Sequence, residues 1–228
     1  MEWQAAGPVG AVVALKPLRS AKSRLRGIPQ PKRQEIAWAL AADTIAALAA
    51  ALDVVSVVSN EPSLADRLSE LAPRARVRSE GPSLGMNAAL AAGAAELVDS
   101  GASLVLACVA DLPCLRPDTV RRLVAAATGH PRSFVADRSG VGTTMLFARG
   151  VSLDPRFQGS SAAAHRGSGA VPLTASAVGE MADARHDVDT LPDLYAAERV
   201  GVGPRTAALF EPGTGRLREH DIAGSTCR

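Results

Sequence analysis

The chain has 228 residues, of which 47% are hydrophobic and 3% aromatic, and its 25 Lys and Arg against 23 Asp and Glu give a formal net charge of +2. This length and apolar content suit one domain with a full core, and so few aromatic residues exclude a platform for stacking nucleic-acid bases. The small net charge excludes a general affinity for nucleic acid, so any basic function must be local.

The sequence predicts a cytoplasmic protein. Its start, Met1-Glu-Trp-Gln, lacks the basic region of a secretion signal, and its first apolar run ends at Lys16, too early for a membrane span. The three cysteines, Cys108, Cys114 and Cys227, contain no Cys-x-x-Cys pair and leave an odd residue. They support neither a disulfide framework nor a thiolate metal site, which fits a reducing compartment.

Strand and helix patterns alternate through the first half of the chain. Apolar runs predict strands over Gly10–Leu15, Asp53–Ser59 and Ser103–Ala110, and a short further strand is predicted over Ala75–Ser79. Helical spacing predicts helices over Gln34–Leu52, Ser63–Leu71 and Ser83–Val98, with Ser83 as N-cap. This alternation predicts an α/β fold with a parallel core sheet and right-handed crossovers.

The pattern changes in the second half. After a helix over Asp118–Ala127, two β runs, Ser133–Asp137 and Thr143–Arg149, flank a Gly-containing turn, which predicts a hairpin and hence a mixed sheet. Residues 154–169 have the composition of an active-site loop that opens into a short helix. Residues 201–228 show little periodicity, so we expect one domain over residues 1–200 followed by a flexible tail.

The most informative segment is a cationic loop after the first strand. Lys16, Arg19, Lys22 and Arg24 follow the apolar run within nine residues. Ligands of open α/β sheets bind outside the carboxyl ends of the strands. The loop therefore predicts a polyanion site, although such cations also occur on solvated surface turns.

Carboxylates follow other strands. Asp111 ends the fourth predicted strand, where it is placed either as a site residue or as the start of a turn before Pro113. Asp187 and Asp189 are expected on one side of a short strand. Oxygen ligands from one or two carboxylates plus substrate phosphates describe a Mg²⁺ site.

The common nucleotide motifs are absent from the sequence, which contains no P-loop and no Gly-x-Gly-x-x-Gly after the first strand. The turn Gly140–Thr144 offers either N–H groups and hydroxyls for an anion or an ordinary hairpin connection. Ser160, Ser161, His165 and Arg166 follow and could form a second anion pocket, with His165 in a supporting role. The four histidines lack the spacing of zinc ligands.

Six short motifs in one order resemble the 2-phospholactate/phosphoenolpyruvate guanylyltransferases of deazaflavin coenzyme F-420 biosynthesis, actinobacterial type. They cover about residues 10–205 and are Leu15-Lys-Pro-Leu-x-x-Ala-Lys-Ser-Arg-Leu25, Leu84-Gly-Met-Asn-Ala-Ala-Leu90, Ala110-Asp-Leu-Pro113, Asp137-Arg-x-Gly-x-Gly-Thr-Thr144, Ser160-Ser-Ala-x-x-His165 and Asp187-Val-Asp-Thr190. The resemblance implies a MobA-like nucleotidyltransferase fold, a Rossmann-like three-layer sandwich with helices on both faces of a mostly parallel mixed sheet.

The resemblance also implies roles for individual residues. Asp111 and the Asp187/Asp189 pair would hold Mg²⁺ on the triphosphate, with Asp187 the favoured ligand of the pair. The acceptor positions of the family correspond to Thr143, Gln158 and Ser161, and Gln158 stands where a glycine is usual.

The implied reaction is attack by a phosphate oxygen of phosphoenolpyruvate, or of 2-phospholactate, on the α-phosphorus of GTP, with release of pyrophosphate. Lys16, Lys22 and Arg24 are expected to stabilise the leaving group, and Arg166 to help hold the acceptor. Guanine selection is assigned to Ser83 and Asn87.

The alternatives are a MobA-like guanylyl- or cytidylyltransferase for another phosphorylated acceptor and a non-catalytic GTP-binding module. The first shares the fold, but its usual Gly-rich Leu-x-Gly-Gly loop is replaced here by Leu15-Lys-Pro-Leu18. The second predicts GTP binding without pyrophosphate release. A homodimer is one option for the assembly, which the sequence does not decide.

Overall fold

The computed structural model describes residues 7–79 and 85–218. Seven strands form one sheet in the order β3-β2-β1-β4-β6-β5-β7. In chain order the strands are β1 (Val9–Ala14), β2 (Val54–Val58), β3 (Ala75–Arg78), β4 (Leu104–Cys108), β5 (Arg132–Ala136), β6 (Thr143–Ala148) and β7 (Val171–Pro172).

Helices connect the strands. They are α1 (Gln30–Ala51), α2 (Leu64–Leu71), α3 (Met86–Asp99), α4 (Pro117–Ala127), α5 (Ser161–Gly167), α6 (Ala175–Val178), α7 (Leu191–Val200) and α8 (Pro204–Ala207). Two 3₁₀ turns lie at Leu18–Ser20 and Ala182–Ala184.

The sheet is mixed, as the sequence predicts. Strands β1, β2, β3 and β4 are parallel, whereas β6 runs antiparallel to both β4 and β5. The beginning of β6 therefore lies at the same edge as the carboxyl ends of β1, β4 and β5. Residues that end or follow those strands meet the first residues of β6 there.

The core lies on both faces of the sheet. Along β1, Ala11 and Val13 pack with α1, α2 and α4 on one face, and Val12 packs with α3 on the other. A Cβ at Gly93 of α3 would lie 2.6 Å from a methyl carbon of Val12, so this close approach of helix to strand requires glycine. The predicted three-layer arrangement is confirmed.

Helix α1 begins four residues before the predicted Gln34. Pro29 is the N-cap and a proline lies within the first two helical positions. Proline is tolerated in the first turn because the N–H it lacks would have no intrahelical partner there. The predicted start is late because the first buried apolar residue of the helix is Ile36, beyond its first turn.

The prediction that Asp187 and Asp189 lie on a short strand is wrong. Residues 186–189, all described, lie outside any strand, and the Val188 N–H donates to the Asp111 carbonyl (3.1 Å). Val188 is fully buried between the two aspartates. Alternation around this buried residue still turns both carboxylates towards one region, but without a sheet partner.

Part of the segment expected to be a flexible tail is folded. Residues 201–218 cross α1, and we call them the C-terminal strap. The N–H groups of Arg205 and Thr206 donate to the buried Asp43 carboxylate (3.0 and 2.7 Å). Phe210 is 5% exposed and pairs with Leu217 in an antiparallel bridge. Residues 219–228 lie outside the described residues.

Within the described ranges, every helix is too short or too polar to cross a membrane. Cys108 and Cys114 are free and buried. Burial raises the pKa of both thiols, that of Cys114 to about 12, so neither has the thiolate character of a nucleophile or metal ligand.

Candidate active site

A cleft of about 620 Å³ opens at the edge where β1, β4 and β5 end and β6 begins. It is lined by residues predicted from three separate patterns: the cationic loop, the carboxylates and the acceptor positions. These residues are Lys16, Lys22, Arg24, Asp111, Thr143, Gln158, Ser161, Asp187 and Asp189.

Lys22 is the central cation of the cleft. Its ammonium donates to the Asp111 carboxylate and to the Val188 carbonyl, and it lies 3.6 Å from Asp189 Oδ1. Only 11% of its side chain is exposed. The Lys22 backbone is left-handed (φ 54°), which lets the loop turn its side chain inwards. The loop thus delivers a buried positive charge to the carboxylates.

The other two cations are more accessible. Arg24 donates to Asp189 Oδ2 (2.7 Å), yet 74% of its side chain is exposed. Lys16, directly after Leu15, is exposed at the rim. An exposed ion pair contributes little to stability, so Arg24 can exchange its carboxylate for an incoming anion at small cost.

Asp187 has no cation beside it among the described ion pairs. Burial, and then the charges of Asp111, Asp137 and Asp189, raise its pKa to about 7. The negative charges of three other carboxylates thus disfavour the ionised form of Asp187. A cation bound in the cleft would relieve this repulsion.

The donor set fits a hard divalent cation in its chemistry. Asp111, Asp187 and Asp189 offer carboxylate oxygens, which Mg²⁺ prefers together with waters and phosphates. Across residues 7–79 and 85–218, however, no three acidic, His or Cys side chains are arranged to hold a metal by themselves. Lys22 lies between Asp111 and Asp189, so an ion bound to that pair would have to displace its ammonium.

Thr143 is oriented by a buried histidine. The Arg156 N–H donates to His165 Nε2 (2.9 Å), so Nδ1 carries the ring proton and donates to Thr143 Oγ1 (2.9 Å). Burial lowers the pKa of His165 to about 4, which keeps the ring neutral. The Thr143 hydroxyl is therefore left with its own hydrogen to donate, and Thr143 lines the cleft. His165 supports the site without entering it.

Gln158 has a glycine-like backbone. Its φ is +91°, a conformation that side chains other than glycine rarely adopt. Its side chain is exposed and lines the cleft beside Ser161. The left-handed conformation gives a physical reason why glycine is usual at this position of the family.

Two predicted site residues do not reach the cleft as expected, and a third cannot be assigned a position. Asn87 bonds to the backbone of Phe157 through both ends of its carboxamide, which gives it a structural partner in place of the guanine edge. Arg166 extends over the Phe134 ring (5.9 Å) and is not among the residues that line the cleft. Ser83 lies outside the described residues.

Comparison with known proteins assigns the chain that forms this cleft to a family. The model of the MobA-like NTP transferase domain matches residues 37–187. Phosphoenolpyruvate guanylyltransferase from Streptomyces scabiei is 47% identical over 89% of this chain and 97% of its own length. The enzyme of that name from Thermomonospora curvata is 45% identical over 89% and 91%. The chain belongs to the phosphoenolpyruvate guanylyltransferase family.

Solved structures of other proteins share the fold of this guanylyltransferase. A protein from Desulfovibrio desulfuricans G20, assigned to the nucleotide-diphospho-sugar transferases, covers 84% of this chain and 86% of its own with a TM-score of 0.63 at 15% identity. A Mycobacterium tuberculosis H37Rv protein solved with manganese covers 85% and 98% with a TM-score of 0.56 at 21% identity. The predicted MobA-like nucleotidyltransferase fold is confirmed.

The guanylyltransferase cleft also contains Asp137, for which no role was predicted from the sequence. Asp137 lines it and accepts from Ser139 Oγ (2.9 Å) and the Val141 N–H (3.1 Å). An Asp-x-Ser-Gly sequence directly after a strand signals such a turn, so Asp137 could have been found. The pairing of Asn87 with Phe157, 70 residues apart, had no signal in the sequence.

Proposed function

We propose that this protein transfers GMP from GTP to phosphoenolpyruvate and releases pyrophosphate. The observation that carries the proposal is the cleft itself, where cations, carboxylates and hydroxyls from distant parts of the chain meet at one sheet edge. Relatives that are 45–47% identical over 89% of the chain are phosphoenolpyruvate guanylyltransferases, which supports this substrate pair.

The chemistry requires little from a general base. The attacking phosphate oxygen of the acceptor is already ionised at neutral pH, and the problem is repulsion between two anions. Positioning and charge neutralisation therefore supply the catalysis. This agrees with a cleft rich in cations and carboxylates, where His165 behind Thr143 is buried and neutral.

Lys16, Lys22 and Arg24 stabilise the departing pyrophosphate in this proposal. In the structure Lys22 forms an ion pair with Asp111 and Arg24 forms one with Asp189. The triphosphate of GTP offers both cations a stronger anionic partner. Asp111 and Asp187, with Asp189 beside them, would hold Mg²⁺, which would supply charge neutralisation at the phosphates. Release of Lys22 to the phosphates frees Asp111 for this role.

The acceptor lies at the opposite wall. The Thr143 hydroxyl, oriented by His165, donates to it, together with Ser161 at the start of α5 and the Gln158 amide. Two buried free thiols fit the reducing cytoplasm, where we place the enzyme.

The direct test combines the protein with GTP, Mg²⁺ and one acceptor at a time: phosphoenolpyruvate, 2-phospholactate or 3-phosphoglycerate. We expect pyrophosphate release and a guanylated phosphoenolpyruvate identified by its mass. Product from another acceptor alone would leave the fold and metal assignment intact but overturn the acceptor. GTP binding without pyrophosphate release in every mixture would favour a non-catalytic binding module.

A further inference from the structure

One side chain joins the first turn of α3 to the loop between β6 and α5. Asn87 Nδ2 donates to the Phe157 carbonyl (3.1 Å), and Asn87 Oδ1 accepts from the Phe157 N–H (2.9 Å). A carboxamide that pairs with both backbone groups of one residue fixes its position and its orientation together. Phe157 is 4% exposed, so the contact lies beside a buried ring.

The next residue towards the N-terminus is held from another side. His165, on α5, accepts the Arg156 N–H at Nε2 (2.9 Å), and its ring meets that of Phe157 edge to face at 5.2 Å. Arg156 and Phe157 are therefore anchored by two different helices. The backbone that leads into residue 158 is therefore held in a fixed position and orientation.

Gln158 follows, in the strained left-handed conformation (φ +91°). A strained residue persists only when its surroundings determine its backbone more strongly than its own preference does. The two anchors at Arg156 and Phe157 provide that constraint. The result is that Gln158 and then Ser161 line the cleft, while Asn87 itself does not.

We propose that Asn87 is a positioning residue that holds the acceptor loop, residues 153–161, in the shape that presents Gln158 and Ser161 to the phosphorylated carboxylic acid. The proposal rests on the proposed function, which assigns the acceptor to these two residues together with Thr143. Asn87 acts through the Phe157 backbone. The same turn of α3 places Met86 in the cleft wall, so the helix both lines the cleft and fixes the opposite loop.

The kinetic test is Asn87→Ala. A reacting group misplaced by about 1 Å costs up to about 10² in rate, so we expect the KM for phosphoenolpyruvate to rise about tenfold or more. The KM for GTP should stay within about twofold of the wild-type value, because the cationic loop makes none of these contacts. An equal rise in both KM values, or no rise in either, would overturn the proposal.

Asp43→Ala is the matched control. Asp43 also holds two backbone N–H groups of a distant segment, those of Arg205 and Thr206, but it lies outside the cleft lining. Loss of stability without a change in the KM for phosphoenolpyruvate is expected. If this variant raised that KM as Asn87→Ala does, general destabilisation would explain both effects and the proposal would fail.

A second measurement does not depend on activity. Gln158→Gly relieves the left-handed strain and should raise the Tm of the otherwise wild-type protein by about 2–4 °C. In the Asn87→Ala background the loop is free to relax, so the same substitution should give a clearly smaller gain. Equal gains in both backgrounds would show that Asn87 does not impose the strain. This result stands even if the wild-type protein forms no guanylated product, which would instead overturn the proposed function.

Discussion

Asp111 is the residue on which the charge balance of the cleft depends. It is 21% exposed, accepts the Lys22 ammonium and raises the pKa of Asp187. The Asp111→Asn substitution keeps the shape but removes the charge, so we expect kcat/KM to fall by about 10² or more, measured as pyrophosphate release from GTP with phosphoenolpyruvate.

The control for this substitution is Asp118→Asn. Asp118 lies in the first turn of α4, is 82% exposed and pairs only with Arg121 among the described ion pairs. It should retain wild-type activity. Undiminished turnover by Asp111→Asn would contradict the role of this carboxylate at the phosphates.

Two titratable residues with shifted pKa values, His165 and Asp187, predict opposite pH dependences of stability. Burial lowers the pKa of His165 from 6.5 to about 4, so the folded protein binds fewer protons there than the unfolded chain. Its contribution, on the order of 3 kcal/mol, is present above about pH 6.5 and is lost as pH falls towards 4. The pKa of Asp187 is raised from 3.8 to about 7, so this residue makes the folded state less stable as pH rises through the same window.

The two effects separate in variants. In a metal-free buffer, the free energy of unfolding of Asp187→Asn should rise with pH between 4 and 6.5 more steeply than that of the wild type. In His165→Gln the slope should be shallower than in the wild type, or reversed. Urea unfolding at several pH values measures both slopes. Parallel curves for all three proteins would show that neither group titrates as its surroundings indicate.

At this scale the sequence predicted most of the residues that line the cleft, charged and neutral alike, but not the contacts of Asn87. Lys22, Asp111 and Asp189 could be placed because each follows an apolar run or a buried residue, and the ends of neighbouring strands meet. The bonds of Asn87 to Phe157 could not be placed, because a polar side chain at the start of a helix fits equally well as a cap, a ligand or a clamp. Only the packing of α3 against the loop decides between them.

Among the elements, the C-terminal strap is attached to α1 through one close approach. A Cβ at Gly203 would lie 2.4 Å from Asp43 Cγ, and that carboxylate is held in place by the N–H groups of the following turn. Gly203→Ala should therefore lower the free energy of unfolding by about 1–3 kcal/mol, as overpacking does. Thermal or urea unfolding would measure the loss.

Gly167→Ala is the comparison for this prediction. Its added Cβ would meet nothing within 4 Å, and its backbone is not left-handed, so stability should stay within about 0.5 kcal/mol of the wild type. Equal stability of Gly203→Ala and Gly167→Ala would mean that the strap moves aside without cost.

The fold of the strap could not be predicted from its composition. Residues 201–218 are rich in Gly, Pro, Thr and Arg, which is typical of unordered chain. Their order comes instead from a few contacts that local patterns do not show, namely Asp43 at the N–H groups of α8 and the buried Leu209 and Phe210. The parallel sheet, by contrast, was predictable because its central strands β1 and β4 are continuous apolar runs.

For the whole molecule, the strap and the cationic loop share one apolar cluster. Leu25, which ends the loop, packs with Leu209, Phe210 and Val188 in this cluster. A chain shortened to residues 1–200 should therefore lose thermal stability and bind GTP more weakly, because the base of the loop loses its packing. Differential scanning calorimetry and titration with GTP would measure the two effects.

A chain ending at residue 218 is the control, since it keeps every described contact of the strap, including the Phe210–Leu217 bridge. It should match the full chain in both measurements. If the chain ending at residue 200 bound GTP as tightly as the one ending at 218, the loop would have to be stable without its apolar base.

The shared cluster also sets an order in time for synthesis of the protein. Phe210 follows Leu25 by 185 residues, so at about 5–20 residues per second the loop leaves the ribosome roughly 10–40 s before the residues that pack beneath it. The sheet can form around β1 during that interval, but the loop cannot yet be buried at its base. The cationic wall of the cleft, encoded near the start of the chain, is thus completed only when its end has been made.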